Sequence, residues 1–451
     1  MDKNRPLTIE EKDKAYVWHP FTQMKDWVNE AQLVIESGEG IKLTDTKGKV
    51  YYDGVSSLWL NVHGHRKLEI DQAIIAQLGK IAHTTMLGLT NIPASELAEQ
   101  LVAMTPSGLN KVFYSDSGSE AVEIAIKMAF QYWQLKGKKD KQKIITITNA
   151  YHGDTIGSVS VGCMDLFHST FGPLLFKTLH GPSPYCYRCP LGKERSTCGL
   201  ACAEELEKMV AQNAHQLAAV IVEPLVQGAA GILTAPQGYL KRVREISSKY
   251  DILMIADEVA VGFGRTGTMF ACEQEQVSPD IMTIAKGITA GYLPLAATLT
   301  TDDVYMAFYG DYEDLKTFFH GHSYTGNPLA AAAALANLQV FKQEKVIEGL
   351  AAKIAVAKEE LVPFNHLPHV GEVRQCGLMV GIELVVDKAT KEAYPWEEKM
   401  GIKVCMSARE KGLIIRPLGH VIVFMPPLAS TVDEIRYMLH IVKESISEVT
   451  E

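Results

Sequence analysis

Five short apolar runs, separated by amphipathic stretches, constrain this chain more than any other feature. They are "KVFYSD" (111–116), "KIITITNA" (143–150), "AAVIVEPL" (218–225), "DILMIADEV" (251–259) and "LPLAATLTT" (293–301). They read as buried strands. Helical patterns lie between them, notably from Ser119 to Lys136, from Ala203 to Gln212 and from Pro236 to Lys249. Strands alternating with helices predict an α/β fold, a mostly parallel sheet covered by helices.

The texture changes after about residue 330. A long helical pattern, "NPLAAAAALANLQVFKQEKV", leads to a segment with strands of its own, "GLMVGIELV" and "HVIVFMPP". Near the other end, "GIKLTDTKGKVYYDGV" reads as a small sheet with Lys47-Gly48 close to a hairpin turn. The expected division is therefore a large unit over 66–330 and a small α+β unit built from both ends, 1–65 and 331–451. A chain of 451 residues has room for both.

The formal net charge is −9 and no basic run occurs, so nucleic acid is not an expected partner. The first twenty residues are polar and mixed in charge, without the apolar core of a signal peptide. No stretch of 18 apolar residues occurs, so no membrane partner is expected and the chain reads as cytoplasmic. Four of the eight cysteines cluster in "CYRCPLGKERSTCGLAC": Cys186, Cys189, Cys198 and Cys202. Their spacing resembles a zinc or iron–sulfur ligand set, and equally suits a surface loop of reduced thiols. No metal is assigned.

Polar residues interrupt the apolar runs at telling places. Lys286 stands inside "PDIMTIAKGITAGYLPLAA", where a lysine needs a counter-ion or goes neutral. A neutral amine can form a Schiff base with a carbonyl. Asp257 ends a very apolar run and precedes "GFGRTG". Such a carboxylate could hold a proton on a heteroaromatic nitrogen. "SDSGSEAVEIAIKMA" opens a helix at Ser117-Gly118-Ser119, an anion site if it is more than a cap by Ser119. Glu223 and Gln227 follow one run, and Tyr151 and His152 another. Tyr151 could stack on a planar ring with its hydroxyl toward substrate. Singly, each is as compatible with an ordinary strand end. Together they converge polar groups on one edge of one sheet, the layout of an active site.

In order and spacing these motifs resemble the class III aminotransferase group of fold-type I pyridoxal-phosphate enzymes. The likeness runs from "WHPFTQM" to "RPLGHVIVFMPP". "WHPFTQM", "DGVSSLW" and "SDSGS" are similar to the branch that converts 8-amino-7-oxononanoate to 7,8-diaminononanoate in biotin synthesis. The resemblance implies a seven-stranded-type large sheet, pyridoxal 5'-phosphate as cofactor and a homodimer with shared active sites. It implies that Lys286 carries the cofactor as a Schiff base and moves the proton. Asp257 would pair with the pyridine nitrogen, Gly118 and Ser119 would hold the phosphate, and Tyr151 would cover the ring. Gly321, His322 and Ser323 would reach the partner subunit's phosphate. Arg416 would bind a substrate carboxylate and, in related enzymes, can pair with the residue at Glu223.

Three places depart from the pattern, one of them His322-Ser323, where relatives have Pro-Thr and where Ser323 still offers a hydroxyl to phosphate. Phe21 stands where relatives often have tyrosine, and Leu58-Trp59 where they often have two tryptophans. A pocket wall with less aromatic area and one hydroxyl fewer suits an aliphatic donor. L-lysine, used by some bacterial members, is therefore the leading amino donor, with S-adenosylmethionine the other. A general ω-amino acid:pyruvate or diamine aminotransferase is the competing reading. A non-catalytic binding protein fits poorly, since Lys286, Asp257 and the phosphate loop are all present.

Overall fold

The computed structural model describes residues 5–451. Seven strands form its largest sheet, here numbered in chain order: β1 (Leu109–Ser115), β2 (Lys143–Ile147), β3 (Leu179–Gly181), β4 (Leu217–Val222), β5 (Leu253–Asp257), β6 (Ile281–Ile284) and β7 (Ala296–Thr301). Their spatial order is β1-β7-β6-β5-β4-β2-β3. β4, β5 and β6 run parallel, with Ile255 beside both Ile221 and Ile281. β7 alone runs antiparallel to its neighbours, placing Ala297 beside Ile284 and Tyr114.

Alternate residues of one strand enter different cores, as the period-2 geometry of a strand requires. Val220, Val222, Met254 and Ala256 pack with Leu206, Val210, Leu240 and Val243 of the helices Ala201–Asn213 and Tyr239–Lys249. Ala219, Ile221, Leu253 and Ile255 pack instead with Val122, Ala125 and Ala129 of the helix Gly118–Leu135. Both faces are covered, so β4 is buried at all six positions. Each fully buried valine, leucine or isoleucine there contributes about 1.5–3 kcal/mol.

All five expected strands form, with shifted ends. β4 stops at Val222 and β7 starts at Ala296, because Pro224 and Pro294 lack the N–H that a ladder needs. β3 and β6 are strands beyond the expected set. β6 has only four residues, Ile-Met-Thr-Ile, all buried between β5 and β7. A four-residue run carries too little periodicity to declare itself. The helix over 239–249 starts later than expected, after Gly238 takes φ of +86°.

Both chain ends meet in a second sheet. Ile35–Glu39, Lys42–Asp45 and Val50–Asp53 form an antiparallel meander, and Leu413–Ile414 joins it parallel to the last. Gly48 turns the hairpin at φ +81°, a conformation that strains residues with a Cβ. Asp45 Oδ1 accepts the N–H groups of Lys47 and Lys49 around that turn. A third sheet holds Val370–Cys376, Met379–Leu384, Val421–Phe424 and Arg416–Leu418. Among the described residues no helix is long and apolar enough to cross a membrane.

Candidate active site

The carboxyl ends of β1, β2, β4, β5 and β6 open on one cavity of about 380 Å³. In the sheet order β6-β5-β4-β2, successive strands deliver Lys286, Asp257, Glu223, and Tyr151 with His152. The Ser117–Ser119 turn after β1 completes the wall. Ligands of open α/β sheets bind at this edge, because loops and free backbone groups converge there.

Asp257 is the last residue of β5 and is 4% exposed. Its carboxylate is held by three donors. His152 Nδ1 lies 2.6 Å from Oδ2, while Thr283 Oγ1 and the Val259 N–H donate to Oδ1 at 3.1 and 3.0 Å. Oδ2 keeps acceptor capacity for one more donor. His152 is buried, and its Nε2 has no hydrogen-bond partner among the described residues. The sequence had shown His152 without a role. Its position directly after Tyr151 was the available signal, and the contact itself joins residues 105 apart.

Lys286 begins a 3-10 turn directly after β6, with φ of +50°. That left-handed conformation is unusual for a residue with a Cβ and holds backbone strain. Its Nζ sits 5.1 Å from the centre of the Trp59 ring. Burial pulls the amine below the usual lysine range. Asp257 and Glu223 oppose that fall and Arg265 adds to it. Disfavouring the charged form makes a lysine amine a better nucleophile and base.

Ser117, rather than Ser119, caps the helix Gly118–Leu135, forming a capping box with Glu120. The amides of Gly118 and Ser119 then fall in the first turn, where no intrahelical acceptor exists. A Cβ on Gly118 would come within 2.6 Å of a Val259 methyl, so any larger residue would have to displace that side chain. Ser119 Oγ accepts the Asp154 N–H at 3.1 Å. Both residues line the cavity.

Glu223 accepts the N–H groups of Tyr151 and Gly228, at 3.1 and 2.8 Å. Burial pushes its carboxyl up to about 7, against the pull of His152. The Tyr151 hydroxyl donates to Asp154 Oδ2 at 2.7 Å. Its ring stacks on His168 at 6.0 Å.

The remaining expected residues sit at different distances from this centre. Trp59 is buried in the cavity wall. Leu58 and Phe21 are 47% and 59% exposed, Phe21 meeting Phe167 edge to face. His322 lies outside the cavity lining, 3.6 Å from Asp116, which does line it. Gly321 and Ser323 are exposed beside it, and the Ser323 carbonyl accepts from His83. Arg416 is exposed at the start of a strand and forms no ion pair among the described residues, so the Glu223–Arg416 contact is not made here. Cys186, Cys189, Cys198 and Cys202 line a small separate cavity with Arg195. Among the described residues no group of three or more histidine, cysteine or acidic side chains is placed to hold a metal.

Residues 23–446 match the family described as aminotransferase class III. The chain belongs to the class III aminotransferases. This aminotransferase is 58% identical over 441 residues to the adenosylmethionine-8-amino-7-oxononanoate aminotransferase of Anoxybacillus flavithermus, covering 98% of this chain and 97% of the relative. The enzyme of that name from Geobacter sulfurreducens is 53% identical, with 98% of each chain covered. The crystal structure of the Methanocaldococcus jannaschii enzyme of that name superposes with a TM-score of 0.94 at 47% identity, again over 98% of each chain. An (S)-enantioselective ω-transaminase from Thermomicrobium roseum gives 0.93 at 38%, over 98% of each.

The cofactor of this aminotransferase is pyridoxal phosphate. The cavity fits it on observations of its own. A glycine crowded by Val259 opens a helix of 18 residues at the wall, a carboxylate with spare acceptor capacity lies at the floor, and a buried lysine amine is acted on by Asp257 and Glu223.

Proposed function

We propose that this aminotransferase moves an amino group from L-lysine to 8-amino-7-oxononanoate, giving 7,8-diaminononanoate for biotin synthesis. The full-length likeness to relatives named for that acceptor carries the reading. S-adenosylmethionine, in the relatives' printed name, is the alternative donor. L-lysine is supported by the residue types at Phe21 and Leu58, exposed phenyl and aliphatic side chains at positions where a tyrosine hydroxyl and an indole would serve a larger donor.

Pyridoxal phosphate, when bound, supplies an electrophilic carbon and a ring that withdraws electrons from the substrate carbon. The chain's residues do the rest. Lys286 Nζ would hold that electrophilic carbon and, once displaced by a substrate amine, take up the proton from the amine-bearing carbon and deliver it to the cofactor carbon it had held. Asp257 would keep a proton on the ring nitrogen through Oδ2. The amides of Gly118 and Ser119, with the helix dipole, would hold the phosphate. Tyr151 would cover the ring, and Trp59 would exclude water beside Lys286. Arg416 would take the substrate carboxylate in a bidentate grip.

We propose a homodimer, with the Gly321–Ser323 loop serving the partner subunit's site. The exposed apolar side chains Leu87, Leu89 and Ile92 beside that loop support it. The division 1–65, 66–330 and 331–451, and a cytoplasmic location, belong to the same reading. Light scattering at the mass of one chain would sink the dimer.

The deciding experiment mixes the holoenzyme separately with L-lysine and with S-adenosylmethionine and follows the cofactor's absorbance. Conversion by lysine alone supports the donor assignment. Conversion by S-adenosylmethionine alone keeps the acceptor and reverses the donor. Conversion by neither, with turnover of ω-amino acids and pyruvate, moves the chain to the general ω-aminotransferase reading, which the likeness to the ω-transaminase structures favours.

A further inference from the structure

Asn337 lies in the middle of the alanine-rich helix Pro328–Gln343 and is fully buried. A buried amide in a helix interior is an expensive choice, because asparagine is a weaker helix former than alanine and each of its polar atoms needs a partner. Here all are matched. Nδ2 donates to the carbonyl oxygens of Gly287 and Ile288, at 2.9 and 2.8 Å. Oδ1 faces His63 Nε2 at 2.8 Å.

The carbonyl partners set the direction of every bond in this chain of contacts. Two carbonyl oxygens can only accept, so the amide nitrogen must face them and Oδ1 must face the histidine. Oδ1 can only accept as well, so His63 carries its proton on Nε2. His63 is itself buried, with its ring edge-on to Phe341 at 4.8 Å. Burial lowers its pKa to about 4, so it stays neutral and keeps this arrangement.

Gly287 and Ile288 are the two residues directly after Lys286. On their other side, a Cβ at Gly287 would come within 2.6 Å of Phe263. The turn is thus gripped between Phe263 and Asn337 while Lys286 is held at φ +50°. Strain of this kind persists only where the surroundings over-determine it.

We propose that Asn337, oriented by His63, is a positioning residue that fixes the backbone turn presenting Lys286 Nζ to the cofactor. The proposal rests on the assignment of Lys286 as the cofactor-bearing residue. A fully satisfied polar network of this kind specifies one arrangement where an apolar contact would tolerate several. Loss of the clamp lets the turn relax, and Nζ moves relative to Asp257, Glu223 and Arg265, the charged groups that act on it.

The test measures three quantities in holoenzyme variants: kcat, KM for each substrate, and the pH midpoint of the absorbance change of the bound cofactor. For Asn337→Ala we expect kcat about tenfold lower and KM within about twofold. The midpoint should move by about half a pH unit or more. His63→Phe, which removes the donor to Oδ1, should move the midpoint in the same direction. His63→Gln, whose amide can still donate, should leave it near wild type. A folded Asn337→Ala enzyme with unchanged midpoint and kcat overturns the proposal, as does a lowered melting temperature with an unchanged midpoint. A moved midpoint in His63→Gln together with an unmoved one in His63→Phe also overturns it. If Asn337→Ala does not fold, His63→Phe decides by the same readings. Lys286→Ala is measured alongside: a cofactor still covalently held in that variant refutes the Lys286 assignment itself, whatever the Asn337 variants do.

Discussion

His152 and Asp257, 105 residues apart in the chain, meet at 2.6 Å on the floor of the cavity. The bond joins the loop after β2 to the end of β5, across the end of β4. It leaves Asp257 an anchored carboxylate, with the face toward the cavity free to accept.

Removing that anchor should therefore weaken cofactor retention. Hydrogen bonds to charged groups contribute about 1.5–3 kcal/mol. For His152→Ala we expect cofactor affinity to fall roughly ten- to hundredfold. Titration of the cofactor into the apoenzyme, followed by absorbance, reads this directly. Wild-type affinity would mean that Thr283 and the Val259 amide suffice.

Lys286→Ala should lower turnover by about 10³-fold or more, since a positioned general base alone contributes about 10²–10⁴. Borohydride treatment should fix the cofactor to the wild-type chain and leave the variant's mass unchanged. Covalent attachment in the variant would place the link on another lysine.

Glu258 offers a test by pH. Its buried carboxylate accepts the N–H groups of Ala271 and Cys272, and burial pushes its pKa up to about 7 from 4.5. Between those values the folded chain binds more protons here than the unfolded chain. Stability from this group is therefore fully present below about 4.5 and declines as pH rises toward about 7. Glu258→Gln should show a shallower fall of melting temperature than wild type across that window. Parallel curves would mean that the carboxyl titrates normally.

Phe21→Tyr with Leu58→Trp should restore aromatic area and a hydroxyl to the approach. We expect the ratio of kcat/KM for S-adenosylmethionine over L-lysine to rise by about tenfold or more. A ratio unchanged within experimental scatter would place donor choice elsewhere in the pocket.

Arg265 is buried and donates to the carbonyls of Asn61 and Pro426, at 2.7 and 2.8 Å. Arg265→Met fills similar space but leaves both carbonyls unpaired, at about 1–3 kcal/mol each. We expect a loss of roughly 2–5 kcal/mol in denaturant unfolding. A loss below about 0.5 kcal/mol would show that water replaces the guanidinium.

Much of the site was legible because polar residues stood out against apolar runs. Lys286 and Glu223 follow, and Asp257 ends, strands whose other residues are almost all buried, and a charge at such a place demands a reason. The opening of the helix at Gly118 was legible from Ser-Gly-Ser, although the cap belongs to Ser117. β6 was harder, since four apolar residues look alike in a strand, a helix or a turn. Arg416 shows the opposite limit. Its residue type pointed to a carboxylate, yet in this structure it lies exposed and apart from Glu223.

The sequence by itself determined the alternation of strand and helix, the small sheet's hairpin at Gly48 and the chemistry of each strand end, because these depend on local periodicity, turn conformation and residue type. Only the tertiary structure decided the order β1-β7-β6-β5-β4-β2-β3, the bond from His152 to Asp257, and the clamp from His63 through Asn337 to the turn after Lys286. The side-chain contacts among them join residues 49 to 274 positions apart. Nothing in a local stretch encodes them; they arise when the sheet's two faces are buried at once and each buried polar atom must find its partner.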